Sequence, residues 1–243
     1  MNIKNINITV ENLNKSFAQT QALNSFALKL ESSSLHGIIG PDGAGKTTFL
    51  RILAGLLKPT SGNVKYFAGE NSISFDSLRP HIGYMPSKAS LYPDLSIEEH
   101  LRFFKSLYSI DDKAYKEKTD ELFKITRLDK FRDRKAGELS GGMYKKVGLM
   151  CAMLQSPQVL LLDEPTNGVD PISRREFWEL LYGLIEQKIL VVVTTAYMDE
   201  AERCTKVHLI ESGKVILSGE PGRILEERKV KDFGELFARE EVK

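Results

Sequence analysis

The chemistry-bearing residues of this sequence gather in a glycine-rich turn and at the acidic end of an apolar run. Gly40-Pro41-Asp42-Gly43-Ala44-Gly45-Lys46-Thr47 fits the pattern G-x-x-x-x-G-K-[ST], and Thr48 follows it directly. In such a turn the glycines let successive backbone N–H groups point inward and wrap phosphate oxygens. Lys46 would neutralise the β- and γ-phosphates, and Thr47 would give a hydroxyl to Mg²⁺. The pattern carries this meaning only where a strand enters it and a helix leaves it. Leu35–Ile39 reads as a buried strand, and residues 47–57 read as a helix with Leu50, Leu53, Ala54 and Leu57 on one face. That helix aims its positive end at the same anion. A dinucleotide-binding G-x-G-x-x-G is excluded, because Thr48 stands where its third glycine belongs.

The acids come from Val159-Leu160-Leu161-Leu162-Asp163-Glu164. An apolar strand ending in two acids sets carboxylates at the strand's C-terminal edge, where α/β proteins bind ligands. Asp163 would hold Mg²⁺ through water, and Glu164 would polarise the attacking water as general base. Two solvated acids at a strand end are the plain alternative, which the nearby phosphate loop weakens. A third piece, Leu139-Ser140-Gly141-Gly142-Met143, precedes a helical run over 144–154. Ser140 is an N-cap type and the glycines expose N–H groups, so this is a second anion-binding helix end unless it is simply a capped helix.

The elements that must hold these pieces follow from pattern. Residues 6–10 and 23–30 alternate like half-buried strands. Ser96-Ile97-Glu98-Glu99 is a capping box, opening a helix expected to carry Leu101, Phe104, Leu107 and Tyr108 inward. A second helix is expected over 115–127. Strands at 159–162 and 189–195 flank a helix over 171–187, which has Asp170 as N-cap and Pro171 at its first position. This alternation predicts a parallel sheet covered on both faces, with a helical block inserted into an α/β core. Ser212-Gly213 between 207–210 and 215–217 reads as a hairpin, and a charged helical tail follows.

At roughly 150 residues per domain, 243 residues allow one large domain or two small ones. Lys plus Arg numbers 34 and Asp plus Glu 33, a net charge of +1 that argues against a dedicated nucleic-acid binder. With 42% hydrophobic and 28% charged residues the chain is not disordered. Its longest apolar stretch, residues 189–193, falls far short of the ~20 residues a bilayer crossing needs. Met1-Asn2-Ile3-Lys4-Asn5 lacks the basic start and apolar block of a secretory signal, so a cytosolic chain is expected. Cys151 and Cys204 read as two reduced, partly buried thiols. His36, His81, His100 and His208 show no metal spacing.

The phosphate loop, Leu139-Ser140-Gly141-Gly142-Met143 and Leu160-Leu161-Leu162-Asp163-Glu164-Pro165, in that order and at these separations, closely resemble the ATPase domain of ABC transporters. The resemblance covers nearly the whole chain. Ser140-Gly141-Gly142-Met143, Gly168-Val169-Asp170-Pro171-Ile172 and Tyr197-Met198-Asp199-Glu200-Ala201-Glu202 look like the branch that serves type-2 exporter permeases. The resemblance implies an α/β P-loop NTPase with a parallel core sheet, an N-terminal antiparallel β subdomain and an inserted helical subdomain bearing the Ser-Gly-Gly signature. It implies one ATPase domain over 1–243, with its core at about 1–84 and 157–220, the helical subdomain at about 88–156 and a helical tail at 221–243. It implies ATP and Mg²⁺ as cofactors, gripped by Gly40 through Thr48. Phe17 falls where the family stacks an aromatic on adenine, an ordinary core Phe being the alternative. The family's two domains sandwich two ATP molecules head to tail, so Ser140, Gly141 and Gly142 would serve the other subunit's nucleotide. Asp170 would face the dimer, a role compatible with capping its helix.

Two positions depart from the family. Ser87, in Ile82-Gly83-Tyr84-Met85-Pro86-Ser87, stands where a Gln ordinarily reaches Mg²⁺ and the attacking water. Ala196 stands where a His ordinarily hydrogen-bonds the γ-phosphate and the catalytic Glu. Losing one preorganised donor costs on the order of 3 kcal/mol, or 10²–10³ in rate. The expectation is a site that binds Mg·ATP tightly and turns it over slowly, its Ser140 end completing a faster site on a second, intact ATPase domain. A membrane permease is the implied transport partner, which would hold the chain on the inner face of the plasma membrane. A ribosome-associated ATPase of the same family would carry extra arms or basic surfaces, and neither is present. An ATP-binding regulatory module is the third reading.

Overall fold

The computed structural model describes residues 3–88 and 91–241. Met1 and Asn2 of the segment read for a signal, and Val242 and Lys243 of the charged tail, lie outside the described residues. The opening alternation becomes two long antiparallel strands, β1 (Ile6–Phe17) and β2 (Thr20–Leu30). They outrun the alternating pattern because the register shifts after Val10 and again after Leu13, letting pairing continue through Asn12 and Asn14. There follow β3 (Leu35–Ile39), α1 (Lys46–Leu53), β4 (Ser61–Ala68), β5 (Asn71–Ile73), α2 (Phe75–Leu78) and β6 (Ile82–Met85).

Helix α1 ends four residues before the expected stop. Gly55, at φ +70°, is the reason. Its N–H bonds Ile52 O at 3.0 Å and the Leu56 N–H bonds Arg51 O at 2.9 Å, a Schellman closure. The buried face is therefore Phe49, Leu50, Ile52 and Leu53, while Ala54 and Leu57 lie half-buried beyond the helix.

The helical block is α3 (Ile97–Leu107), α4 (Asp112–Thr126) and α5 (Gly141–Met153). The capping box forms as expected: the Glu99 N–H donates to Ser96 Oγ at 3.2 Å and the Ser96 N–H to Glu99 Oε2 at 2.7 Å. Its inward residues are Ile97, His100 and Leu101, with Phe104 partly buried. Leu107 (61% exposed) and Tyr108 (38%) do not turn inward, contrary to expectation. Leu107 faces solvent, and Tyr108 walls an open groove with Phe104 and with Gly148 and Cys151 of α5. Helix α4 starts early because Asp111 accepts from the N–H groups of Lys113 and Ala114, both at 3.0 Å.

The chain then runs through β7 (Val159–Asp163), α6 (Pro171–Glu186), β8 (Leu190–Thr195), β9 (Lys206–Glu211), β10 (Lys214–Gly219), α7 (Pro221–Arg228) and α8 (Phe233–Glu241). One sheet is antiparallel in the order β2-β1-β4-β5. The other has the order β10-β9-β3-β8-β7-β6, parallel except for the β9–β10 hairpin at Ser212-Gly213. Together with the flanking helices this is the α/β fold of a P-loop NTPase. Successive residues of one strand feed two cores: Leu160 and Leu162 join Trp178 and Phe177 of α6, while Val159 and Leu161 join Phe49 and Leu50 of α1. Burial on both faces explains the unbroken apolar runs.

Cys151 and Cys204 are buried free thiols, as expected. The histidines are less scattered than the sequence suggests: His36 on β3 and His208 on β9 bond ring to ring at 3.0 Å. His208 also bonds Ser218 Oγ at 2.9 Å. Burial pushes their pKa values down to about 4 and about 3, so the pair is neutral. No group of three metal-ligating side chains occurs among the described residues. No described helix is long and apolar enough to cross a membrane.

Candidate functional site

The site lies at the C-terminal ends of β3, β7 and β8. Between β3 and α1 the loop turns on Gly43 (φ +82°) and Gly45 (φ +104°), and a Cβ at Gly45 would lie 2.5 Å from Ala22 O. Only glycine fits there. Lys46 is buried, its Nζ donating to Gly40 O at 2.8 Å and Pro41 O at 3.0 Å. The same ammonium lies 3.5 Å from Glu164 Oε1 and 3.8 Å from Asp42. A cavity of about 220 Å³ opens between Thr20 and Ala22 of β2, the loop from Asp42 to Thr48, and Glu164.

Asp163, at the end of β7, is fully buried, which overturns its reading as a solvated acid. Its Oδ1 accepts from Thr47 Oγ1 at 3.0 Å and Thr194 Oγ1 at 2.7 Å. Its Oδ2 is buried with no hydrogen-bond partner among the described residues. An unpaired buried carboxylate oxygen is costly, and a hard cation beside the Thr47 hydroxyl would satisfy it. The donor set fits Mg²⁺.

Glu164 sits at φ +46°, a left-handed conformation that a non-glycine residue adopts only when its surroundings impose it. Its N–H is held by Thr194 O at 3.1 Å and Thr194 Oγ1 at 3.0 Å. Its carbonyl accepts from Lys145 Nζ at 3.2 Å. That ammonium also donates to Ser87 O at 3.0 Å, tying α5, the Ser87 loop and the acid together. Burial pulls the Lys145 pKa below the usual lysine value, against the pull of the Glu164 and Asp163 charges. The Glu164 carboxylate is gripped from both sides, by Lys46 at Oε1 and by the Asn167 amide at Oε2, 3.2 Å away.

The loop residues, Asp163 and Glu164 thus come together as the sequence predicts. Phe17 lies at the outer end of β1, 44% exposed and paired in register with Thr20 of the cavity wall, so it is not a core Phe. Ser140, Gly141 and Gly142 stand apart from this cavity. Ser140 Oγ accepts from the Met143 N–H at 3.3 Å, and α5 begins at Gly141 rather than near 144, so both glycines belong to its first turn. Asp170 caps α6 through the N–H groups of Ile172 and Ser173, at 3.1 and 3.0 Å. Its bonds to Ser173 hold the carboxyl below the usual range. Thr194, Lys145, Asn167 and Tyr197 complete the surroundings of the two acids. The sequence gives little sign of them, since a Thr in a buried strand and a Lys in a helix are ordinary until the fold places them.

This loop, this acid pair and this sheet define a P-loop NTPase. The family model described as "ABC transporter" matches residues 23–167. Over 216 residues the chain is 42% identical to the probable multidrug ABC transporter ATP-binding protein YbhF of Escherichia coli (strain K12), covering 88% of this chain and 37% of that protein. Over 231 residues it is 33% identical to the Nod factor export ATP-binding protein I of Burkholderia lata, covering 95% of this chain and 76% of that one. The solved structure of cbiO1 from Clostridium perfringens, part of a cbiONQ transporter complex, superposes with TM-score 0.80 at 26% identity, covering 93% of this chain and 92% of that one. The chain belongs to the ABC transporter ATP-binding proteins, a family that binds and hydrolyses ATP. It spans little more than a third of YbhF.

Proposed function

We propose that this chain is an ATPase unit that binds Mg·ATP at the cavity over Lys46 and drives a membrane permease, in the direction of export, by closing onto a second ABC ATPase domain. The observation that carries the reading is the orphaned Asp163 Oδ2 beside the Thr47 hydroxyl, under an ammonium buried in the phosphate loop. In this reading Gly40 to Thr48 hold the phosphates, Phe17 stacks on adenine, and Thr47 with Asp163 holds Mg²⁺, partly through water. The ion would screen phosphate charge. Glu164 takes the proton of the attacking water, while Lys46 stabilises the charge that develops on the phosphates.

Ser140, Gly141 and Gly142 present a helix end to the partner's nucleotide, and Asp170 faces the same partner. Ala196 and Ser87 lack the side chains that would reach the γ-phosphate and the attacking water. The chain's own site is therefore slow, and a second domain of different sequence is the favoured partner. Helices α3, α4 and α5 belong to the helical unit that meets the permease. The groove of about 240 Å³ between β6 and α5, walled by Tyr84, Leu91, Phe104 and Tyr108, supports this, because it leaves apolar surface open beside the Ser87 loop. Equilibrium titration with Mg·ATP tests the reading. Saturable uptake that Lys46→Ala abolishes is expected; uptake unchanged by that substitution, or none at all, contradicts it.

A further inference from the structure

Beside Ala196 lies a cavity of about 210 Å³ bounded by Asp42, Glu164, Asn167, Thr195 and Tyr197. Across it runs a relay of contacts that ends on the general base. The Asn167 amide donates to Glu164 Oε2 at 3.2 Å, and Asn167 Oδ1 accepts from the Tyr197 hydroxyl at 3.4 Å. The Arg174 guanidinium lies over the Tyr197 ring, 4.5 Å from its centroid. Arg174 is in turn fixed by Glu200 Oε1 at 2.7 Å and Asp199 Oδ2 at 2.6 Å. Glu200 is fully buried, and its Oε1 also accepts from Thr166 Oγ1 at 2.8 Å and Trp178 Nε1 at 3.0 Å. The Glu200 end of this relay is buried, while the Tyr197 ring, 38% exposed, rests between Arg174 and Asn167.

We propose that Asn167, oriented by Tyr197, is a positioning residue for Glu164 and replaces the hydrogen bond to that carboxylate which the side chain of Ala196 cannot make. The inference rests on the reading of Glu164 as general base. With the amide on Oε2, the carboxylate is turned so that Oε1 faces Lys46 and the phosphate cavity. Phosphate competes with Oε1 for the Lys46 ammonium, which leaves Oε1 free to accept a proton. Water gives that proton to Oε1 as its oxygen bonds the γ-phosphorus. The bond to the β-phosphate oxygen breaks, and ADP and phosphate leave. The Asn167 amide is engaged with Glu164 and makes no contact in place of a γ-phosphate donor, so the relay supports a slow reaction.

The test is a double-substitution cycle on the full chain, read as single-turnover kcat with protein in excess over labelled ATP, beside the Mg·ATP Kd. Asn167→Ala should lower kcat about ten- to hundredfold, as loss of a hydrogen bond to a charged group does, with Kd within twofold. Tyr197→Phe should lower it severalfold. In an Ala196→His background, where an imidazole fills the cavity and holds Glu164, the Asn167→Ala loss should shrink below about threefold. Asn167→Leu, which keeps about the same size and removes the donor without adding a charge beside Glu164, should behave like Asn167→Ala and covers the case in which that variant fails to fold. An unchanged kcat in Asn167→Ala overturns the proposal, as does an equal loss in both backgrounds. Mg·ATP binding without any hydrolysis overturns it while leaving the binding reading intact; no binding brings down both.

Discussion

The two flanks of Glu164 are built differently. On the loop flank every part is present: Lys46 reaches Oε1, Thr47 and Thr194 hold Asp163, and one Asp163 oxygen is left over. On the other flank, Ala196 and Ser87 offer no long donor, and the acid is held by Asn167 and by Lys145 at its carbonyl. In the proposed reading, binding a nucleotide needs the first flank and splitting it quickly needs both. On that reading the difference separates affinity from turnover within one site, because an interaction made only in the transition state raises kcat without changing Kd.

The sharpest way to break this comparison is Glu164→Gln, which keeps the side chain's size and removes the base. If Glu164 is the base proposed above, hydrolysis should fall about 10²–10⁴-fold while Mg·ATP binding is retained, measured as phosphate release beside a binding titration. Equal loss of both would mean the flanks are not separable. Ala196→His acts in the opposite sense and should raise own-site kcat about ten- to hundredfold, unless Ser87 alone limits the rate. Acidification probes the loop flank, since His36 lies on β3, the strand that feeds the phosphate loop. Both buried histidines have depressed pKa values, so the unfolded chain binds more protons below about pH 6.5. Stability should be full above that pH and fall as pH drops toward about 4, with a slope approaching two protons per chain; urea unfolding at stepped pH reads it. Asp170→Ala should have the smallest effect, about 1 kcal/mol lost from the isolated chain by denaturant unfolding, because only the α6 cap is removed.

What the sequence discloses follows the same division. The phosphate loop, the acid pair and the caps at Ser96, Ser140 and Asp170 are local, each written in a few adjacent residues; the three caps form and the loop and acids come together, although α5 begins at Gly141, before the expected run. Helix α1 ends before its apolar pattern does, because Gly55 stops it ahead of the Pro59 turn. The inward face of α3 is shorter than its periodicity suggests, because the Tyr108 side of the helix faces an open groove rather than a packed neighbour. In β4 only Tyr66 is buried, so no alternation marks it, and β5 and β6, three and four residues long, are too short to show a period. The surroundings of Glu164 were hidden for a related reason. Asn167 is only three residues from Glu164, but its loop conformation is not written in that spacing, and Tyr197 and Lys145 reach the acid's surroundings only once β7, β8 and α5 are stacked.

The account stands or falls on a time course of phosphate release by the purified chain alone with saturating Mg·ATP, set beside its binding curve. It predicts tight, Lys46-dependent binding with slow release that Ala196→His accelerates. Brisk release from the unaltered chain would contradict it.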